Sequence, residues 1–176
     1  MNIEKADFFT VIQFGTKELF IDKLKLEQCN LDDIMNLRDV NGISLLEKSL
    51  ISRKFDIALM LLQKGVEINI VSKNNCNELH YLSANLDSIE SIEIAQQLVE
   101  AGVDLNLPDK KYKNTPFWYL CQKAMQKGGQ DFHKLIIICM KKKPDIEWAN
   151  VSGNTIRSMV ADRGDDEMKR IILEEK

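Results

Sequence analysis

Two histidines, His80 and His133, and four cysteines, Cys29, Cys76, Cys121 and Cys139, are the side chains best suited to acid–base, nucleophilic or metal chemistry. Their spacing argues against each use. A zinc site needs clustered thiolates or imidazoles, and the chain holds no Cys-x-x-Cys pair. No Ser, Cys or Asp arrangement beside either histidine implies a triad. The thiols read as free, in a reducing compartment. Gly15-Thr16-Lys17 echoes the end of a phosphate loop, but the upstream glycine at the required spacing is missing. Thr16 is better explained as the N-cap of a helix carrying Glu18 to Leu26. Gly128-Gly129 follows no strand, which argues against a dinucleotide loop. Asp32-Asp33 and Asp165-Asp166-Glu167 have the placement of helix N-terminal acids, which the helix dipole favours without any catalytic role. The expectation is a protein that is not an enzyme and takes no metal or cofactor.

Charge and aromatic residues point elsewhere. The 176 residues suit one domain, with 44% hydrophobic content for a core and 29% charged residues for a solvated surface. Even the longest apolar runs, such as Leu135 to Met140, are far shorter than the ~18 residues a membrane span needs. No leader pattern opens the chain, so a cytoplasmic protein without membrane contact is expected. The net charge of −3 is unevenly spread: residues 110–143 hold nine lysines against Asp131 alone, a local +8. Within that block stand Tyr112, Phe117, Trp118 and Tyr119. Phe117 reads as core; Trp118 is open between packing and service as a partly exposed anchor. Lys141-Lys142-Lys143 ends a helix, where positive charge is favourable without a ligand.

These residues sit in a recurring frame. Ser44, Asn77, Thr115 and Thr155 hold the same place in four anchor phrases, at intervals of 33, 38 and 40 residues. The phrases are Asn41-Gly42-Ile43-Ser44-Leu45-Leu46, Asn75-Cys76-Asn77-Glu78-Leu79-His80, Lys113-Asn114-Thr115-Pro116-Phe117-Trp118 and Gly153-Asn154-Thr155-Ile156-Arg157-Ser158. Two closing phrases nearly repeat, Leu61-Leu62-Gln63-Lys64-Gly65-Val66-Glu67-Ile68-Asn69 and Leu98-Val99-Glu100-Ala101-Gly102-Val103-Asp104-Leu105-Asn106. Each anchor residue suits a helix N-cap, Pro116 the first helical turn, and Gly65 and Gly102 a left-handed C-cap. Phe55, Leu59 and Leu62, like Ile94, Leu98 and Ala101, recur at helical spacing and bury one helix face. Lys143 stands where a third closing glycine is expected. The longer intervals place extra residues in the first helix or inter-helix loop, around Asn85–Ser91 and Ala124–Gln130.

Thr115-Pro116, Asn154-Thr155, Leu79-His80 and the glycine-closed helix ends resemble the ankyrin repeat, a unit of ~33 residues with a β-turn and two antiparallel helices. The resemblance covers about residues 37–172 clearly. Residues 1–36 match it weakly, through Asp33-Ile34-Met35-Asn36 and the apolar positions Phe8, Phe9, Ile12, Leu19, Phe20 and Leu24. It implies an all-α solenoid of stacked helix-turn-helix units with β-turn fingers, in one domain. Its repeats would span about 1–36, 37–69, 70–106, 107–147 and 148–176, the outer two acting as caps. Arg157, at a usually apolar position, suits a cap facing water, and His80 would bond backbone across its turn.

The same resemblance implies a non-catalytic module, a monomer when free, that binds protein through its fingers and the exposed face of its first helices. Carried over by position, the second repeat offers Val40, Asn41, Ile43, Ile51 and Ser52. The third offers Lys73, Asn74, Cys76, Ala84 and Asn85. The fourth offers Lys111, Tyr112, Asn114, Trp118, Gln122 and Lys123, of which Lys111, Tyr112 and Lys123 join charge with an aromatic anchor. The implied partner is a protein with an acidic patch. Small size and isolation are similar to bacterial immunity proteins that inhibit a cognate toxin. A host-directed effector and nucleic-acid binding through the basic fourth repeat are the alternatives.

Overall fold

The computed structural model describes residues 2–174, so the outermost ends of the first and last expected units (Met1, and Glu175 with Lys176) lie outside the described residues. It is all-α: eleven helices and, among the described residues, no strand beyond a single antiparallel bridge between Arg38 and Ser44. In chain order they are α1 (Phe8–Phe14), α2 (Lys17–Leu26), α3 (Leu31–Ile34), α4 (Leu45–Ile51), α5 (Phe55–Gln63) and α6 (Glu78–Ser83). There follow α7 (Ile89–Glu100), α8 (Pro116–Lys127), α9 (Gln130–Met140), α10 (Ile156–Arg163) and α11 (Asp166–Leu173). No helix among the described residues is long and apolar enough to cross a membrane.

The anchor residues start helices for the reason their chemistry gives. Ser44, Asn77, Thr115 and Thr155 each accept a backbone N–H from the third helical residue, and Pro116 occupies the first turn of α8. Thr16 does the same for α2, accepting from the Leu19 amide, so the apparent phosphate-loop remnant is a cap. Asp32 and Asp33 lie in the first turn of α3, while Asp165 caps α11 ahead of Asp166 and Glu167. Asp33 thus belongs to a capping box with Asn30.

The helix exits are equally specific. At α5, Gly65 N–H donates to Leu62 O and Val66 N–H to Leu61 O; at α7, Gly102 and Val103 repeat this with Val99 and Leu98. This is the Schellman pattern, which needs a left-handed residue at the glycine, and Gly65 and Gly102 have φ of 75° and 91°. Lys143 takes the corresponding left-handed turn with φ 54°, at a steric cost that glycine lacks. Lys143→Gly should therefore raise stability by roughly 0.5–1 kcal/mol in urea unfolding.

The extra residues of the third unit go only partly where expected. They lengthen mainly the second helix: α7 has 12 residues against 9 in α5, while α6 remains short with 6. Ser88 caps α7 in a box with Ser91, so residues 89–91 begin that helix, while residues 84–88 form an inter-helix loop two residues longer than the 52–54 loop of the second unit, as expected. In the fourth unit α8 reaches 12 residues, so there the first helix is extended as expected.

Helices pack as two rows. The first helices α1, α4, α6, α8 and α10 contact one another in that order, and the second helices α5, α7, α9 and α11 do likewise. Each first helix also packs on its own second helix. One continuous core results, in which Phe20, Leu45, Leu50, Leu61, Leu79, Leu98, Phe117 and Leu135 are fully enclosed. Asparagines of the closing phrases tie neighbours together: Asn69 Oδ1 accepts from Asp104 N–H at 2.6 Å and Asn106 Oδ1 from Asp145 N–H at 2.8 Å.

Candidate functional site

Ahead of α4, α6, α8 and α10 the chain makes one recurring hairpin finger. Asp39, Ser72, Asp109 and Asn150 open these fingers, and their amides close them onto Ile43, Cys76, Asn114 and Asn154 carbonyls at 2.9–3.0 Å. The opening side chain accepts turn amides, as short polar side chains do in such turns. Asp39 Oδ1 takes Asn41 and Ile43, and Asn150 Oδ1 takes Ser152 and Asn154. Asp109 Oδ1 takes Lys111 and Tyr112 at 2.8 and 2.6 Å. Gly42, Asn75, Lys113 and Gly153 supply the left-handed residue. In the third finger it comes one residue later, so that finger is longer and carries Tyr112, 45% exposed, at its tip.

A backbone ladder runs across the tips. Lys73 N–H donates to Asn41 O and Lys110 N–H to Asn74 O, both at 2.9 Å, and Val151 N–H to Tyr112 O at 3.0 Å. Lys110 Nζ reaches Lys73 O at 2.5 Å, and Asn150 Nδ2 reaches Asn114 Oδ1 at 2.9 Å. The fingers are therefore registered on one another, and their exposed side chains form a row of fixed spacing.

Between the second and third fingers lies a groove of about 290 Å³. Its floor is made by the rings of His80, Tyr81 and Tyr119 with the Cys76 thiol, its rim by Lys110, Lys111 and Tyr112. The floor is electrically quiet. His80 Nδ1 lies 3.1 Å from the Asn77 amide and Nε2 3.4 Å from Asn114 O, so both ring nitrogens are engaged, and burial lowers its pKa. Burial, with the Asp109 carboxylate nearby, pushes the Cys76 thiol up to about 11, which leaves it protonated and a poor nucleophile. Burial likewise pushes Tyr81 and Tyr119 up to about 12. The phenol of Tyr81 donates to Ser72 Oγ at 2.8 Å and that of Tyr119 to Asp109 Oδ2 at 3.0 Å. At neutral pH the thiol, both phenols and the His80 ring are therefore uncharged.

Among the expected site residues, the structure brings Asn74, Cys76, Lys111 and Tyr112 together on this groove. Ala84, Gln122 and Lys123 line a second depression that shares His80 and Tyr119 with it. Val40, Asn41 and Lys73 are exposed on the finger row. Ile51 and Ser52 lie at the exit of α4, away from both depressions. Asn85 is a strut, its Nδ2 donating to Leu50 O and Ile51 O at 2.9 and 3.1 Å. Asn114 is likewise occupied by neighbouring backbone and by Asn150.

Two residues do not belong to the surface. Ile43, 7% exposed, is enclosed where the first finger closes onto α4. Trp118, 6% exposed, is held by α8, which packs against α6, α9 and α10 at once. Its packing alternative is the one realised. Missed by the sequence reading is Trp148, 42% exposed, whose Nε1 donates to Lys113 O at 2.9 Å beside the third finger. Val151, exposed at the next tip, completes an apolar edge next to Tyr112. Val151 occupies the same finger position as Val40, a match visible in the sequence once the fingers are aligned.

The lysine block does not form one patch. Lys110, Lys111 and Lys113 sit on the third finger, Lys123 and Lys127 on α8, Lys134 on α9 beside Asp131, and Lys141–Lys143 at the α9 exit. Cys121 and Cys139 are buried thiols, Cys29 and Cys76 half-buried ones, and all four are free. His133 Nε2 pairs with Asp165 at 3.2 Å. Arg157 is exposed and pairs with Glu147. Among the described residues no three His, Cys, Asp or Glu side chains stand close enough to hold a metal ion. No protein-family model matches the chain, and no curated protein matches it.

Proposed function

We propose that the chain is a non-catalytic, ankyrin-type solenoid that binds one dedicated protein partner through its finger row and the adjoining first-helix face. The observation that carries this reading is the laddered row of exposed side chains, Lys73, Lys110, Lys111, Tyr112 and Val151, set above a groove whose floor groups on His80, Tyr81 and Tyr119 are hydrogen-bonded. A pre-ordered backbone lowers the entropy lost on association, and an aromatic beside cations is a common binding hot spot. The partner presents an acidic patch, and association weakens with salt. The role we assign is inhibition: a small module that covers a cognate toxin, as an immunity protein does. A lysine block dispersed over α8, α9, the α9 exit and a finger argues against a phosphate-tracking surface.

The test is a tagged pull-down from the native organism, read by mass spectrometry, beside a Lys111→Glu/Tyr112→Ala/Lys123→Glu variant. One stoichiometric protein, bound by wild type and at least 100-fold more weakly by the variant, is expected. Recovery of nucleic acid, or a partner indifferent to the three changes, would overturn the reading.

A further inference from the structure

We infer that the groove between the second and third fingers is an anchor pocket for one aromatic side chain of an acidic partner segment. This rests on the protein-binding reading above and names what the surface selects. The donors of the floor are already committed. Tyr81 O–H is given to Ser72, Tyr119 O–H to Asp109, and the His80 nitrogens face Asn77 and Asn114. No floor donor is left for a carboxylate, and the buried Asp109, held by two finger amides and Tyr119, would repel one placed deep in the groove. What the floor offers is ring surface: His80 and Tyr119 meet edge-to-face at 5.9 Å, an arrangement that a third ring extends.

The rim has the opposite character. Lys110 and Lys111 stand at the mouth, with Lys111 Nζ 4.6 Å from the centre of the Tyr112 ring. Two ammonium groups exclude a cationic guest and leave donors free for carboxylates. The volume of about 290 Å³ lies at the lower end of the range for ligand pockets and has room for one aromatic ring. Ring in the groove and carboxylates on the rim satisfy both halves of the site. A carboxylate alone would satisfy only the rim, and an aliphatic chain would forgo the ring contacts.

The probe is the capped pentapeptide Glu-Asp-Phe-Asp-Glu, titrated into the isotope-labelled protein and followed by amide chemical shifts. Saturating shifts at Cys76, His80 and Tyr119 are expected, with affinity at least tenfold weaker when Ala replaces Phe or when Lys111→Glu is introduced. Shifts limited to the finger lysines, or equal for the Ala peptide, would overturn the proposal. A second measurement separates it from the reading it rests on. Cys76→Phe fills the groove and leaves Lys111 and Tyr112 exposed. If wild type captures a protein that this variant, folded by circular dichroism, captures equally well, the pocket is refuted and the binding module stands. If wild type captures no protein, the module itself fails.

Discussion

Glu47→Gln should make the folded protein more stable at pH 8 and leave it nearly unchanged at pH 5. Glu47 lies in α4 with no exposed surface. Its Oε2 accepts the Ser44 amide at 2.6 Å, but Oε1 has no partner. Burial, and secondarily the buried Glu78 carboxyl, raise its pKa from 4.5 to about 8, against the lowering effect of the Ser44 hydrogen bonds and Arg38. Glu78 is itself raised by burial, though the amides of Asn69 and Ile70 restrain the rise. Between about pH 4.5 and 8 the folded chain keeps a proton that the unfolded chain releases. Stability therefore falls as pH rises across that window, by on the order of 4 kcal/mol if Glu47 acts alone. A glutamine side chain at this position keeps the capping hydrogen bond without a titrating proton. Urea unfolding at pH 5, 6.5 and 8 should show a declining wild-type series and a flatter variant. Parallel series would refute the assignment.

Phe117→Ala should cost about 3–5 kcal/mol. The ring has no exposed surface and sits on α8, whose neighbours are α6, α9 and α10. In a protein of this size the loss lowers the melting temperature by on the order of 10 °C. Its position makes the effect wider than one side chain. Contacts run from each unit to the next, so loosening α8 weakens the hold on α10 and leaves the last unit seated on the stack mainly through the α9–α11 contact. The same helix carries Tyr119, so the groove floor should shift as well, visible as faster amide exchange in the third finger. A loss below 1 kcal/mol would mean that the rows are not coupled through α8.

The sequence revealed the frame because local chemistry sets it. A serine, threonine or asparagine ahead of an apolar run starts a helix, and glycine past one ends it, whatever lies around them. Ser44, Asn77, Thr115, Thr155, Gly65 and Gly102 all act locally. The features left open or misjudged depend on neighbours. Trp118 is buried only because three helices meet around α8, and Ile43 because a finger folds over it. The length of α7 was hidden because Ser88 and Ser91 read equally well as loop residues and as a capping box. Likewise Ser44 and Glu47 show the capping-box spacing in sequence, but the burial that makes Glu47 titrate high comes from the stacked unit beside it. The groove was half legible. Lys111 and Tyr112 were marked by type, while its floor of Tyr81, Tyr119 and Cys76 assembles from separate units.

The central claim is that binding uses the fingers and the first-helix row. Hydrogen–deuterium exchange of the protein with its captured partner tests this most directly. The account predicts slowed exchange at residues 73–76, 109–114 and 119–123, with α7, α9 and α11 unchanged. Protection confined to those second helices, with the fingers exchanging as in the free protein, would contradict it.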